Sequence, residues 1–248
     1  MALIKQRLCH LFPPRSALYA AAPSAKRGLR RANRPRGKVR VASVPTLSAG
    51  LMPASIAACA RDYPQLTVQL HDQAQTLVLD SVRSGEVDFG LAIEPADRES
   101  FDTETILRDP FVLVCRADHP FAALADVPWK KLKGQPLVLL DQTSGSRRLI
   151  DRQLAAQRID PQVAQQAGHT LTAFRMVEAG LGVSVAPQLS LPAPGALVAR
   201  PLVPVVHREV TLVRRRHRSL SPVAALVWER IRDTAAILAD ARRKITPR

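Results

Sequence analysis

Residues 75–93, QTLVLDSVRSGEVDFGLAI, decide the fold. The first ten residues read as a helix. Gly85 follows as its C-cap, because glycine enters the left-handed region without a Cβ penalty. Val87–Ile93 is then a short, mostly apolar run, which suits a buried strand. Outward toward the N-terminus, QLTVQLHD at 65–72 reads as another strand. Before it, TLSAGLMPASIAACARDYP at 46–64 has helical spacing at Leu47, Leu51, Ile56 and Ala60. Thr46 or Ser48 is expected to cap that helix and Pro64 to mark its end. Pro53 fits only near the first turn, where its missing N–H is not needed. KVRVASV at 38–44 alternates as a strand. The order strand, helix, strand, helix, strand predicts an α/β fold with a mostly parallel sheet and right-handed crossovers.

Outward toward the C-terminus a similar half begins. Phe111–Cys115 reads as a strand, and a Pro-bearing loop at 117–136 leads to the buried strand LVLL at 137–140. DQTSGSRRLIDRQLAAQRIDP at 141–161 is a capped helix, and TAFRMVEAGLGVSVAP at 172–187 repeats the passage from helix through glycine to strand. REVTLVRRR at 208–216 is a last strand. SPVAALVWERIRDTAAILADARRK at 221–244 is a long amphipathic helix with Ser221 at the N-cap and Pro222 at N1. Two α/β halves with two linking strands predict a pair of lobes around a cleft. Small ligands bind in such clefts, at the carboxyl ends of parallel strands.

Composition limits what this fold does. The chain has 248 residues, 46% of them hydrophobic and ten aromatic, so the core is aliphatic. The net charge of +15 resembles a nucleic-acid signal, but residues 1–38 hold ten of the 36 basic residues and no acidic one. The other 26 basic and all 21 acidic residues leave the remainder at only +5. Residues 1–37 form a basic, proline-punctuated leader, expected to be poorly structured and able to touch phosphates only through charge. No run of about 18 apolar residues predicts a membrane span, and the leader has no continuous apolar stretch of the signal-peptide kind. Both point to a cytoplasmic protein. Cys9, Cys59 and Cys115 are far apart and read as reduced thiols. His71, His119, His169, His207 and His217 share no metal spacing, so neither cofactor nor metal is expected.

Several of these segments resemble a known family. RVASVPTLSAGLMP, ARDYPQLTVQL, SVRSGEVDFGLAI, PFVLVCRADHPFA, SGSRRLID and VEAGLGVSVAP are similar, in this order, to the motifs of the effector-binding domain of LysR-type transcription regulators. The resemblance covers about residues 38–235. It implies two Rossmann-like lobes joined by two crossover strands, a type 2 periplasmic-binding-protein-like fold with a small effector in the interlobe cleft. Lobe 1 is expected at 38–108 plus 214–248, and lobe 2 at 109–213. It also implies a homodimer or tetramer. Promoter DNA would be read only through a winged helix-turn-helix, which residues 1–37 are too short to supply. A freestanding solute-receptor-like binding protein is the alternative.

The candidate site follows from the strand ends. Thr46 and Ser48 lie where a strand gives way to a helix, and hydroxyls there suit a carboxylate. By resemblance, Thr46 holds the place of the family's Ser/Thr effector contact. Plain helix capping is the competing role for both. Gln75 opens the second helix and contacts either the effector or only solvent. Ser144, Gly145 and Ser146 form a small-residue turn that allows close ligand approach or simply caps a helix. Thr170 is a weaker candidate of the same type. Arg147 and Arg148 could steer an acid, yet adjacent arginines usually lie on solvated faces. Asp88 reads as a loop-stabilising acid and His119 as a turn residue. SGS lacks the frame of a nucleophile elbow, and GLG at 180–182 lacks the third glycine of a dinucleotide fingerprint, so the chain is not expected to be an enzyme.

Overall fold

In the computed structural model Gly85 stands at φ +80°, and its amide reaches the Val82 carbonyl at 3.2 Å. The helix therefore ends there, and the next strand is buried at all five positions. The structure describes residues 35–243 apart from 96, 98, 193 and 194, with the backbone alone for 241–243. In chain order, β1 (Gly37–Ser43), α1 (Pro45–Gly50), α2 (Met52–Asp62), β2 (Leu66–Asp72), α3 (Gln75–Ser84), β3 (Phe89–Ile93) and β4 (Phe101–Arg116) come first. A 3-10 turn at Pro120–Ala123 leads to β5 (Val127–Pro128), and a second at Trp129–Leu132 leads to β6 (Pro136–Leu140). Then follow α4 (Gly145–Ala156), β7 (Gln162–Ala167), α5 (Thr170–Glu178) and β8 (Ser184–Pro187). A third 3-10 turn at Gln188–Ser190 precedes β9 (Leu197–Val203), β10 (His207–Arg215) and α6 (Pro222–Arg243).

The chain divides into two compact units. Unit 1 takes residues up to Leu107 together with Val210 onward, and unit 2 takes Arg108–Glu209. The chain thus passes between them inside β4 and returns inside β10. These boundaries correct the expected ones. Arg108 falls in unit 2, and residues 210–213 fall in unit 1, because Val210, Thr211, Leu212 and Val213 pair antiparallel with Ile93, Ala92, Leu91 and Gly90 of β3. The leader is also shorter at its end than expected. Gly37 opens β1 in register with Leu66, while residues 1–34 lie outside the description.

In unit 1, β1 pairs parallel with both β2 and β3. Helices cover both faces, as alternation in β3 shows. The Phe89 ring meets Trp228 of α6 edge-on at 5.3 Å, while the next residue, Gly90, faces Val78 and Val82 of α3. A sheet buried on both sides has near-continuous apolar strands, which is why Phe89–Ile93 shows no polar alternation. The single helix expected over 46–64 is instead two, α1 and α2, parted at Leu51, and this break is what puts Pro53 in a first turn; the Ser221 hydroxyl accepts the Ala224 amide at 3.2 Å to cap α6. The Asp88 carboxylate accepts the Arg40 amide at 2.7 Å and so locks the approach to β3 onto β1.

In unit 2, β6 and β7 are parallel, with Leu140 opposite Ala167, and Leu137 bridges in parallel to Val183. β8 and β9 both run antiparallel to β4, and β5 lies parallel to β9. Val112, Val114, Phe174, Ala186 and Ala199 form one part of the core; Val138, Ala167, Ala173 and Val177 form another. α5 ends with the Gly180 amide on the Val177 carbonyl and the Leu181 amide on the Met176 carbonyl, the paired bonds of a Schellman stop. So GLG is a turn, as its sequence suggested. The His119 imidazole accepts the Phe121 amide at 3.2 Å and also serves as a turn residue. No helix among the described residues is long and apolar enough to cross a membrane.

Candidate functional site

The candidate residues of unit 1 gather at the carboxyl ends of β1 and β3. α1 starts one residue after Val44, which occupies the N-cap and makes no side-chain cap bond. Neither Thr46 nor Ser48 caps a helix, which corrects that competing role. Both lie inside α1 because Pro45 can occupy its first turn and so starts the helix one residue earlier. Thr46 is 8% exposed. Ser48 turns back, and its hydroxyl donates to the Ser43 carbonyl at 3.2 Å. That carbonyl also accepts the Gln73 amide at 3.1 Å, so one oxygen at the end of β1 fastens both α1 and the approach to α3.

Gln75 is buried, not a surface residue. Its Nε2 donates to the Ile93 carbonyl at 2.9 Å, and its Oε1 accepts the Ile93 amide at 2.9 Å. One side-chain amide thereby replaces the strand neighbour that Ile93 would otherwise need. The residue after it, Glu94, stands at φ 41°. A non-glycine residue in the left-handed region directly beyond the strand marks strained backbone.

In unit 2 the starts of α4 and α5 lie side by side, since they follow the paired ends of β6 and β7. Asp141 organises the first. Its Oδ1 accepts the Thr143 amide at 3.0 Å and the Thr143 hydroxyl at 2.6 Å, and its carbonyl accepts the Ser144 amide at 3.2 Å. Ser144 holds the N-cap of α4 without a side-chain cap bond, Gly145 is buried at N1, and Ser146 is 1% exposed at N2. Thr170 opens α5, half-buried, behind His169 at the N-cap. The adjacent arginines part ways. Arg148 is exposed as expected, but Arg147 is buried, with Nε on Asp151 Oδ1 at 2.7 Å and Nη1 on the Leu140 carbonyl at 2.6 Å. It bolts α4 to the end of β6.

The sequence reading missed Asp109 and Arg208, both fully buried and joined at 2.9 Å between Oδ2 and Nη2. Their signal was phase. Asp109 alternates in step with buried Leu107 and Phe111, and Arg208 in step with Val210 and Leu212, so both charges point inward. Cys59 and Cys115 are free and buried, and burial pushes both thiols up to about 11. They are poor thiolates at neutral pH. Cys9 lies outside the described residues.

Comparison with known proteins bears on this geometry. Residues 32–236 match the model of the LysR substrate binding domain. The chain is 45% identical over 208 residues to the uncharacterized HTH-type transcriptional regulator YfeR of Shigella flexneri, covering 83% of this chain and 68% of that protein. A further such regulator is covered over 61% of its length, so the chain spans about two thirds of these relatives. Among solved structures it is similar to HinK, a LysR family transcriptional regulator from Pseudomonas aeruginosa. That match has a TM-score of 0.77 at 21% identity, over 82% of this chain and 72% of HinK. The regulatory domain of CcmR from Synechocystis PCC6803, solved in complex with 2-PG, matches with a TM-score of 0.75 at 20% identity, over 81% of this chain and 98% of that one.

Proposed function

Since the chain belongs to the LysR substrate-binding domain family, we propose that it is the effector-sensing part of a transcription regulator, holding a small organic acid at its strand ends. The observation that carries this reading is the construction of unit 1. Ser43, Gln73 and Gln75 spend their polar groups on fixing the ends of β1 and β3. Thr46 sits within that fixed frame at the first turn of α1. A hydroxyl on a rigid frame loses little entropy when it takes a ligand. Gln75 acts in this scheme chiefly as the fastener of the frame. In unit 2, Ser144, Gly145, Ser146 and Thr170 serve as the corresponding contacts around the starts of α4 and α5.

The chemistry is recognition without reaction, and the chain is not an enzyme. In the whole regulator the partners are the effector, a second copy or three further copies of the chain, and promoter DNA gripped by a helix-turn-helix of the kind the relatives' names describe. All of this takes place in the cytoplasm. The test is a thermal-shift screen of small organic acids, with 2-PG among them, followed by calorimetry of any acid that raises the melting temperature. Thr46→Ala is expected to weaken binding by about 1 kcal/mol, roughly fivefold, for one lost hydrogen bond, while the free chain still melts cooperatively. Unaltered affinity removes Thr46 from the site; a screen in which no acid binds counts against the whole reading.

A further inference from the structure

Ser146 is bonded to a buried cation. Arg208, at 0% exposure, donates from Nη1 to the Ser146 hydroxyl at 2.9 Å. Its other edge lies on Asp109, with Nε 3.0 Å and Nη2 2.9 Å from Oδ2, while Asp109 Oδ1 accepts the Leu189 amide at 3.0 Å. A guanidinium has donors and no acceptor. The Ser146 oxygen therefore receives from Arg208 through a lone pair, and its own hydrogen must point elsewhere. A lone pair held by a cation also strengthens that O–H as a donor. A buried ion pair is weak evidence for stability in itself, since replacing one by apolar residues is often neutral or stabilising.

We propose that Ser146 reads an oxyanion of the effector, a carboxylate or phosphate oxygen, and that Arg208, held in place by Asp109, is the positioning residue that sets its hydroxyl as the donor. This rests on the reading of the unit 2 strand ends as a binding site, and it adds the chemical class of the group bound there. Lysine cannot take over from Arg208, because one ammonium does not span Asp109 and Ser146 with the fixed fork of a guanidinium.

The experiment places a reporter of negative charge at the position. In a Cys9→Ser background, Ser146→Cys introduces a thiol whose alkylation by iodoacetamide is followed against pH on the ligand-free chain, with the labelled peptide assigned by mass spectrometry. The midpoint is expected about one pH unit below the roughly 8.5 of a free cysteine. Adding Arg208→Lys should return it at least halfway while the melt stays cooperative. A midpoint at or above that of a free cysteine overturns the proposal. So does a thiol that stays unlabelled in the folded chain, because no effector atom then reaches the position. A second measurement needs no new thiol: sulfate titrated at constant ionic strength should raise the melting temperature of the wild type but not of Ser146→Ala. Equal responses overturn the proposal as well. Neither readout uses an organic effector, so a depressed midpoint beside a failed acid screen counts against the proposed function alone. A normal midpoint beside a successful screen counts against this inference alone.

Discussion

Gln75 closes the end of β3 with the two halves of one amide, and asparagine offers the same pair of groups one carbon shorter. Gln75→Leu leaves both the amide and the carbonyl of Ile93 without this partner. Each orphaned buried group costs about 1–3 kcal/mol, so a loss of roughly 2–6 kcal/mol for the two is expected in urea unfolding. A loss below about 0.5 kcal/mol would show that water serves Ile93 equally well. The cysteines give a second expectation at this scale. Burial raises the Cys59 and Cys115 thiols to about 11, and an unfolded cysteine titrates near 8.5. Between those values the unfolded chain has released protons that the folded chain still holds, so their contribution is complete below about pH 8.5 and declines as pH rises toward 11. Melting temperature should fall across that window, and less steeply for Cys115→Ala than for the wild type when each is compared with its own value at pH 7. Parallel curves would exclude the thiol as a source of the fall.

At the scale of elements, the turn into the strand after α5 depends on one atom that is missing. Gly182 stands at φ +144°, and a Cβ there would collide with the carbonyl of Pro136, a backbone atom that cannot swing aside. Gly182→Ala is expected to cost about 3 kcal/mol or to prevent folding, as strain and overpacking combine. A melting temperature within 2–3 °C of the wild type, a shift worth only about 1 kcal/mol at this size, contradicts it. The two helix–glycine–strand passages were legible because glycine is chemically distinct at such stops. Less was legible where a strand carries no apolar signal. QVAQQA became β7 because Leu137–Leu140 offered it a ladder, though its own outward face is glutamine and alanine. LVARPLV became β9 despite Pro201, and β4 extends ten residues ahead of its apolar run at Phe111, a stretch in which only Phe101, Leu107 and Asp109 are buried. Of the candidate residues, the strand-to-helix positions were visible from spacing. The roles of Ser48, Gln75 and Arg147 as fasteners depend on contacts between elements far apart in sequence.

The whole molecule carries its charge unevenly, with ten basic residues and no acid among residues 1–38. We expect the purified 248-residue chain to hold DNA only weakly, through counterion release, without preference for base sequence. Gel shifts with promoter and scrambled duplexes over a salt series check this: retention should vanish steeply with salt, equally for both, and disappear when residues 1–34 are deleted. Preference for the promoter at physiological salt contradicts it. The two passages of the chain between units have a further consequence, one of timing. Unit 2 is a single unbroken run, whereas unit 1 is assembled from both ends of the sequence. While the ribosome is still making Arg108–Glu209, β3 has no β10 beside it, Phe89 has no Trp228, and Asp62 lacks the Arg230 guanidinium that later sits 2.5 Å away. Domains close as their residues emerge, so unit 2 is completed first. The earlier half of unit 1 is then expected to stay incomplete, its apolar strands uncovered, until α6 has left the exit tunnel.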